Sequence, residues 1–179
     1  MTVRLGSLEL EPAQDGLLAA PVAAALTALP AVAAHAYTVA IDPDLAETAA
    51  LTERFGLAAD MSANCVIVLG KRGGELRPAA CVILSSTRAD VNGLVRRTID
   101  TRKCSFAPQD WAVTATGMEY GGITPVGVPE GWPVLVDRAV TEQPWVLLGS
   151  GLRRSKLALP GASLAELPGA QVLDGLGLR

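Results

Sequence analysis

NCVIVLGKRGGELRPAACVIL, residues 64–84, decides the fold class. Two apolar runs, 64–70 and 77–84, flank KRGGEL, whose adjacent glycines suit a tight turn, so the stretch reads as a β-hairpin. Upstream, Asp42 and Pro43 form an N-cap and first helical position for DLAETAALTERF (44–55), and Gly56 ends that helix. HAYTVAI (35–41) alternates as a strand, and 17–29 reads as a helix entered at Pro21 and stopped by Pro30. Downstream, Ser86 or Thr87 caps a short basic helix, DVNGLVRRTID (90–100), and KCSFA (103–107) is a brief strand. Pro108 opens the helix QDWAVTAT (109–116), and PVLVD (133–137), WVLLG (145–149) and SKLAL (155–159) are short strands. SLAEL (163–167) closes as a helix and AQVL (170–173) as a strand. Strands thus come both as a hairpin and separated by helices, which predicts an α+β fold with a mixed sheet of about six to seven strands. No repeat or low-complexity linker divides residues 1–179, so one domain is expected.

Composition narrows the function classes. Half of the residues are hydrophobic and 18% charged, as in a globular chain, and aromatics are only 4%. Cys65, Cys81 and Cys104 form no C-x-x-C pair and read as reduced, buried thiols of a cytoplasmic protein. With His35 as the single histidine, a Cys/His metal site of structural type is not available, and no cofactor is expected. Residues 16–41 carry no Lys, Arg, Asp or Glu, but alanine dominates, Pro21 and Pro30 interrupt, and acidic residues flank the run. A buried helix followed by a strand fits better than a membrane span or a signal peptide. The net charge of −3 is unevenly spread. Residues 1–60 hold two basic and eight acidic groups, whereas 71–103 hold eight basic and three acidic ones. That block can make a local contact with a phosphate backbone, although charge alone favours a solvated basic face.

Familiar catalytic motifs are absent. One histidine cannot complete a Ser–His–acid set, and neither G-x-S-x-G nor a P-loop occurs. Asp137, at the end of PVLVD, is the single acid at a strand terminus, where turn capping is a better explanation than catalysis on spacing alone. GGITPVG (121–127) is the most distinctive loop. Gly121 and Gly122 can take positive φ and leave a ligand room, while Pro125 holds Thr124 extended. Such a rigid loop can present N–H groups to a carbonyl, phosphate or oxyanion, or can simply join a helix to a strand.

In order, SANCVIVLG (62–70), KCSFAP (103–108), TGMEYGGITPVGVPEGWPVLVD (116–137) and VLLGSGLRRSKLAL (146–159) resemble the YbaK/EbsC family, related to the editing domain of bacterial prolyl-tRNA synthetases. The match is strongest over 60–179, and its glycine loop corresponds to GGITPVG. The resemblance implies a partly barrel-like mixed sheet flanked by helices. It also implies metal-independent hydrolysis of the ester of mischarged tRNA, acting in trans in the cytoplasm. The tRNA acceptor end is the implied partner, with a homodimer or an aminoacyl-tRNA synthetase as further partners and no membrane. It gives catalytic or ester-aligning roles to Asn64, Gly121, Gly122, Gly127 and Asp137. Substrate contacts fall to His35, Tyr37, Ser62, Ile123, Thr124, Pro125, Gly149, Ser150, Gly151 and Arg153, and tRNA contacts to Arg88, Arg96, Arg97, Arg102 and Lys103. Family members typically carry a lysine where this chain has Asn64. An amide can hydrogen-bond an oxygen but supplies no fixed charge, a loss on the order of 2–4 kcal/mol in a desolvated site. A pocket that binds a tRNA end, a nucleotide or an aminoacyl small molecule with little or no catalysis is the competing expectation.

Overall fold

The computed structural model describes residues 2–179. The hairpin is its spine. Strand β4 (Ala63–Arg72) pairs antiparallel with β5 (Glu75–Leu84) from Ala63↔Leu84 to Arg72↔Glu75. The two-residue loop is Gly73–Gly74, both at positive φ (57° and 85°), as a type I′ turn requires. β4 also pairs antiparallel with β7 (Lys103–Phe106), and β5 pairs parallel with β8 (Val134–Asp137), which pairs parallel with β11 (Ala170–Leu173). The order β11-β8-β5-β4-β7 is therefore a mixed sheet. Ala79–Leu84 of β5 is buried without alternation, as expected for a central strand covered on both faces.

A second five-stranded sheet has the order β1-β2-β3-β10-β9. β1 (Val3–Leu5) and β2 (Leu8–Pro12) form an N-terminal hairpin, β3 is Tyr37–Ala40, β9 Val146–Gly149 and β10 Ser155–Leu159. Ser62, just before β4, bridges Leu147 of β9 in parallel and so joins the sheets into a half-barrel. β6 (Arg88–Ala89) and β12 (Gly177–Leu178) make a small third sheet. The two five-stranded sheets enclose the main core, in which Val82, Val136, Val146, Leu148, Leu157 and Leu159 pack with Val22 and Leu26 of α1 (Ala20–Ala28). Burying each such side chain contributes roughly 1.5–3 kcal/mol.

Several element boundaries differ from the sequence reading. No element was assigned to residues 1–16, yet Leu5, Leu8 and Leu10 point inward on the β1–β2 hairpin. α1 stops before Pro30, which opens the single-turn α2 (Pro30–Ala33). Asp42 does cap, with Oδ1 accepting from Asp44 N at 3.0 Å, but it caps a 3₁₀ turn, Pro43–Leu45. The helix proper, α3, is Thr48–Phe55 with Gly56 in the left-handed conformation behind it. The basic segment is a π-type turn, Val91–Val95, running into α4 (Arg96–Thr98), and its cap is Asp90, which accepts from Gly93 and Leu94 N. α5 is Gln109–Thr116, α6 is Arg138–Thr141, and SLAEL lies in a 3₁₀ turn, Gly161–Glu166. The strands outnumber the six to seven expected because they divide between sheets. Among the described residues, no helix is long and apolar enough to cross a membrane.

Candidate active site

Between the two sheets, at the start of β4, lies a cleft of about 240 Å³. Ala46, Glu47 and Thr48 at the start of α3 form one wall, and Tyr120, Gly121 and Ile123 of the glycine loop another. Cys65 of β4, Gly149 of β9 and Lys156 of β10 complete it. Of the residues singled out in the sequence, Gly121, Ile123 and Gly149 line this cleft, and Arg153 reaches over Gly121.

The glycines divide by what surrounds them. A Cβ on Gly149 would lie 2.2 Å from Gly122 O, and one on Gly122 would lie 2.7 Å from Leu152 C and O. Gly151 N donates to Gly122 O at 2.7 Å and Glu119 N to Gly151 O at 2.8 Å. The glycine loop and the GSG turn are thus laced backbone to backbone, and side chains would force them apart. A Cβ on Gly151 would strike Ala19, and one on Gly127 would strike Pro21 O. At Gly121 (φ 80°) a Cβ would meet the Arg153 guanidinium at 2.9 Å and Ala46 Cβ at 3.5 Å. That guanidinium is the far end of a flexible side chain, so Gly121 is the loop position where a methyl group enters the cleft. Gly121→Ala is expected to cost about 1–2 kcal/mol, the left-handed backbone term alone, in urea unfolding. Its effect on function should exceed what that loss predicts.

Asn64 sits beside the cleft. Its Oδ1 accepts from Thr48 Oγ1 at 2.8 Å, which ties the first turn of α3 to β4. Ser150 Oγ lies 2.7 Å from Ser155 Oγ and also meets the Leu152 and Ser155 carbonyls, a buried knot that shapes the turn. Ser62 and Thr124 are buried, and neither hydroxyl oxygen has a hydrogen-bond partner among the described residues. Other candidates lie elsewhere. Tyr37 packs edge to face on Trp145 at 5.5 Å, and His35 is exposed in the turn before β3. Pro125 and Gly127 face a separate, apolar groove with Trp132. Asp137 Oδ2 accepts from Gly177 N at 3.1 Å and so fastens the C-terminal strand.

The positive charge lining the cleft comes from Lys156, which in the sequence lies close to Arg153 and Arg154 in a small basic cluster. Its side chain is buried, with Nζ donating to Ala46 O at 2.8 Å. No ion pair among the described residues includes it. Burial, and then the nearby Arg153 charge, push its pKa down to about 8 against a smaller pull from Glu47. The available signal was a lysine inside SKLAL, every residue of which is buried. Burial pushes the Cys65 thiol far up, so it stays protonated at neutral pH and is a poor nucleophile.

A second cavity, about 560 Å³, opens at the other end of β4. Lys71, Arg96, Arg102 and Lys103 line it with Asn92, and the Arg96 Nε atom is buried without a partner among the described residues. Arg88 lies on β6 and Arg97 on α4. Arg72 and Arg77 are occupied by Asp100. From Cys65 to Gly70 the strand advances roughly 17 Å, which sets the spacing of the two sites.

Solved structures share this architecture. One, described as a candidate trans-editing enzyme for prolyl tRNA synthetase, is similar with a TM-score of 0.73 at 21% identity, covering 90% of this chain and 99% of that one. The hypothetical protein APE2540 has a TM-score of 0.73 at 22% identity, over 85% of this chain and 97% of its own. A protein from work on grafting epitopes onto scaffolds has a TM-score of 0.72 at 23% identity, over 90% and 97%. These likenesses establish the fold. The model of the aminoacyl-tRNA editing domain matches residues 42–167, which contain every residue lining the cleft, and the chain belongs to that family.

Proposed function

We propose that this protein edits in trans, hydrolysing the ester of mischarged tRNA in the cleft between α3, the glycine loop and the GSG turn. The observation that carries the reading is a small cleft, within the editing-domain segment, where two glycine backbones stand beside a buried cation. The similarity to a candidate trans-editing enzyme over 99% of that chain supports action in trans. Water adds to the ester carbonyl carbon, the carbonyl electron pair moves to oxygen, and collapse breaks the bond to the ribose oxygen. That oxygen takes up a proton, which leaves free amino acid and uncharged tRNA. With the acceptor end in the cleft, Lys71, Arg96, Arg102 and Lys103 at the far end of β4 suit the phosphates behind it.

The test is ester loss from a panel of mischarged tRNAs, with tRNA affinity measured across salt concentrations. Turnover on at least one member is expected. An Arg102→Glu/Lys103→Glu variant should bind all tRNAs more weakly, with a salt slope shallower by about 1–2, since roughly one counterion is released per phosphate neutralised. Binding without turnover on any member would leave a recognition module in place of an enzyme. An unchanged salt slope would remove the basic cavity from the tRNA path.

A further inference from the structure

Lys156 is a buried charge with no ion-pair partner among the described residues. Its side chain is 6% exposed, and its hydrogen-bond partner is the neutral Ala46 carbonyl. Buried ammonium groups are costly unless something balances them. The other two N–H donors of its ammonium have no protein acceptor among the described residues. Lys156 lines the cleft together with Ala46, whose carbonyl holds its Nζ, and with Gly121 and Gly149. Beside it, Cys65 and Ile123 are half-buried and offer no charge. The residue is therefore built to meet an acceptor oxygen that arrives with a ligand and carries negative charge.

We propose that Lys156 is a catalytic residue, its ammonium donating to the carbonyl oxygen of the bound aminoacyl ester and holding that oxygen as it becomes the oxyanion of the tetrahedral intermediate. This rests on the hydrolytic reading above. The atoms balance without any further reactant: water forms the new C–O bond, the carbonyl pair becomes the oxyanion held by Lys156, and collapse expels the ribose oxygen, which takes up the proton that the attacking water has lost. Lys156 keeps its proton throughout. The contact strengthens as charge develops, so it acts on the chemical step more than on binding. Because the protonated amine is the active form, its contribution is full below its pKa of about 8 and declines as pH rises above it. The charged or titratable groups facing it are Glu47 on the wall formed by α3, Tyr120 and Arg153 on the loops, and Cys65 on β4.

The experiment compares wild type with Lys156→Gln and Lys156→Met, both checked for folding by thermal melting. On the best mischarged tRNA, kcat should fall about 10²–10³-fold in each variant, with KM changed little. The wild-type advantage should shrink by about tenfold per pH unit above 8. A second readout needs no turnover: binding of two adenosine conjugates, one a 3′-aminoalkylphosphonate (a tetrahedral anion) and the other a 3′-alanylamide (neutral and planar). Wild type should prefer the phosphonate, and both variants should lose at least tenfold of that preference. Unchanged kcat, or a raised KM with kcat intact, in a folded variant would overturn the assignment, as would an unchanged preference between the conjugates. If wild type turns over no ester yet both variants lose the phosphonate preference, hydrolysis is refuted while Lys156 remains the anion-holding group.

Discussion

Gly127→Ala is expected to lose about 2–5 kcal/mol of stability in urea unfolding, a large share of what a domain of this size possesses. Two separate causes add. At φ 85° the backbone is left-handed, which costs a non-glycine residue roughly 1–2 kcal/mol. The new Cβ would also lie 2.4 Å from Pro21 O and 2.7 Å from Pro21 C, backbone atoms at the start of α1 that cannot rotate away. Overpacking of that kind costs about 1–3 kcal/mol. Gly131→Ala separates the two, because Gly131 has φ 83° but nothing within 4 Å of a Cβ. It should lose only the backbone share. Equal losses in the two variants would show that the helix start yields to the methyl group. Reduced editing in Gly127 variants therefore reports a displaced α1, and Gly121 is the glycine that probes the cleft itself.

Lys156→Met is expected to stabilise the protein at pH 7 by roughly 2 kcal/mol net, even as it removes the charge from the cleft. The folded pKa is about 8 against an ordinary value of 10.5. Between those values the unfolded chain holds a proton that the native state has released, so wild-type stability rises with pH across that window. At about 1.4 kcal/mol per pKa unit, the rise totals roughly 3 kcal/mol. Methionine does not titrate, so the gap between variant and wild type should be widest below pH 8 and close towards pH 10.5. The lost hydrogen bond to Ala46 O offsets about 1 kcal/mol of the gain. Urea midpoints at pH 7, 9 and 10.5 check this, and a gap that does not change with pH would refute an uncompensated ammonium at this position. A residue that weakens the fold and is buried in the cleft fits a site where function is bought with stability.

Much of the frame was legible from short-range signals. Adjacent glycines at 73–74 fixed the hairpin and its register, because only a two-residue turn of positive φ closes it without splaying the strands. Gly56 and Gly117 marked helix ends, each taking the left-handed C-terminal conformation. The N-terminal hairpin was missed although Leu8–Glu11 alternates apolar and acidic residues, because β1 has only three residues and shows no pattern of its own. Asp42–Pro43 was read as starting a helix that begins at Thr48, since one capping signal serves a 3₁₀ turn as well as an α-helix.

The candidate site was less legible. Gly121, Ile123 and Gly149 could be singled out from loop composition and the family resemblance, and they do converge. The resemblance also drew in Tyr37 and Asp137, which the fold uses for packing on Trp145 and for fastening Gly177. Lys156 was not singled out as a site residue because Arg153 and Arg154, close by in sequence, make it look like part of a small basic cluster. By itself, the sequence determined the class of fold, the hairpin at its centre and a rigid glycine loop, all consequences of local backbone preference and hydrophobic pattern. Only the tertiary structure decided which glycines touch backbone and which face open space, and that the cleft's cation comes from β10. Those facts depend on segments brought together from over a hundred residues apart, as when Lys156 meets Ala46, and chain-local preferences carry no record of such contacts.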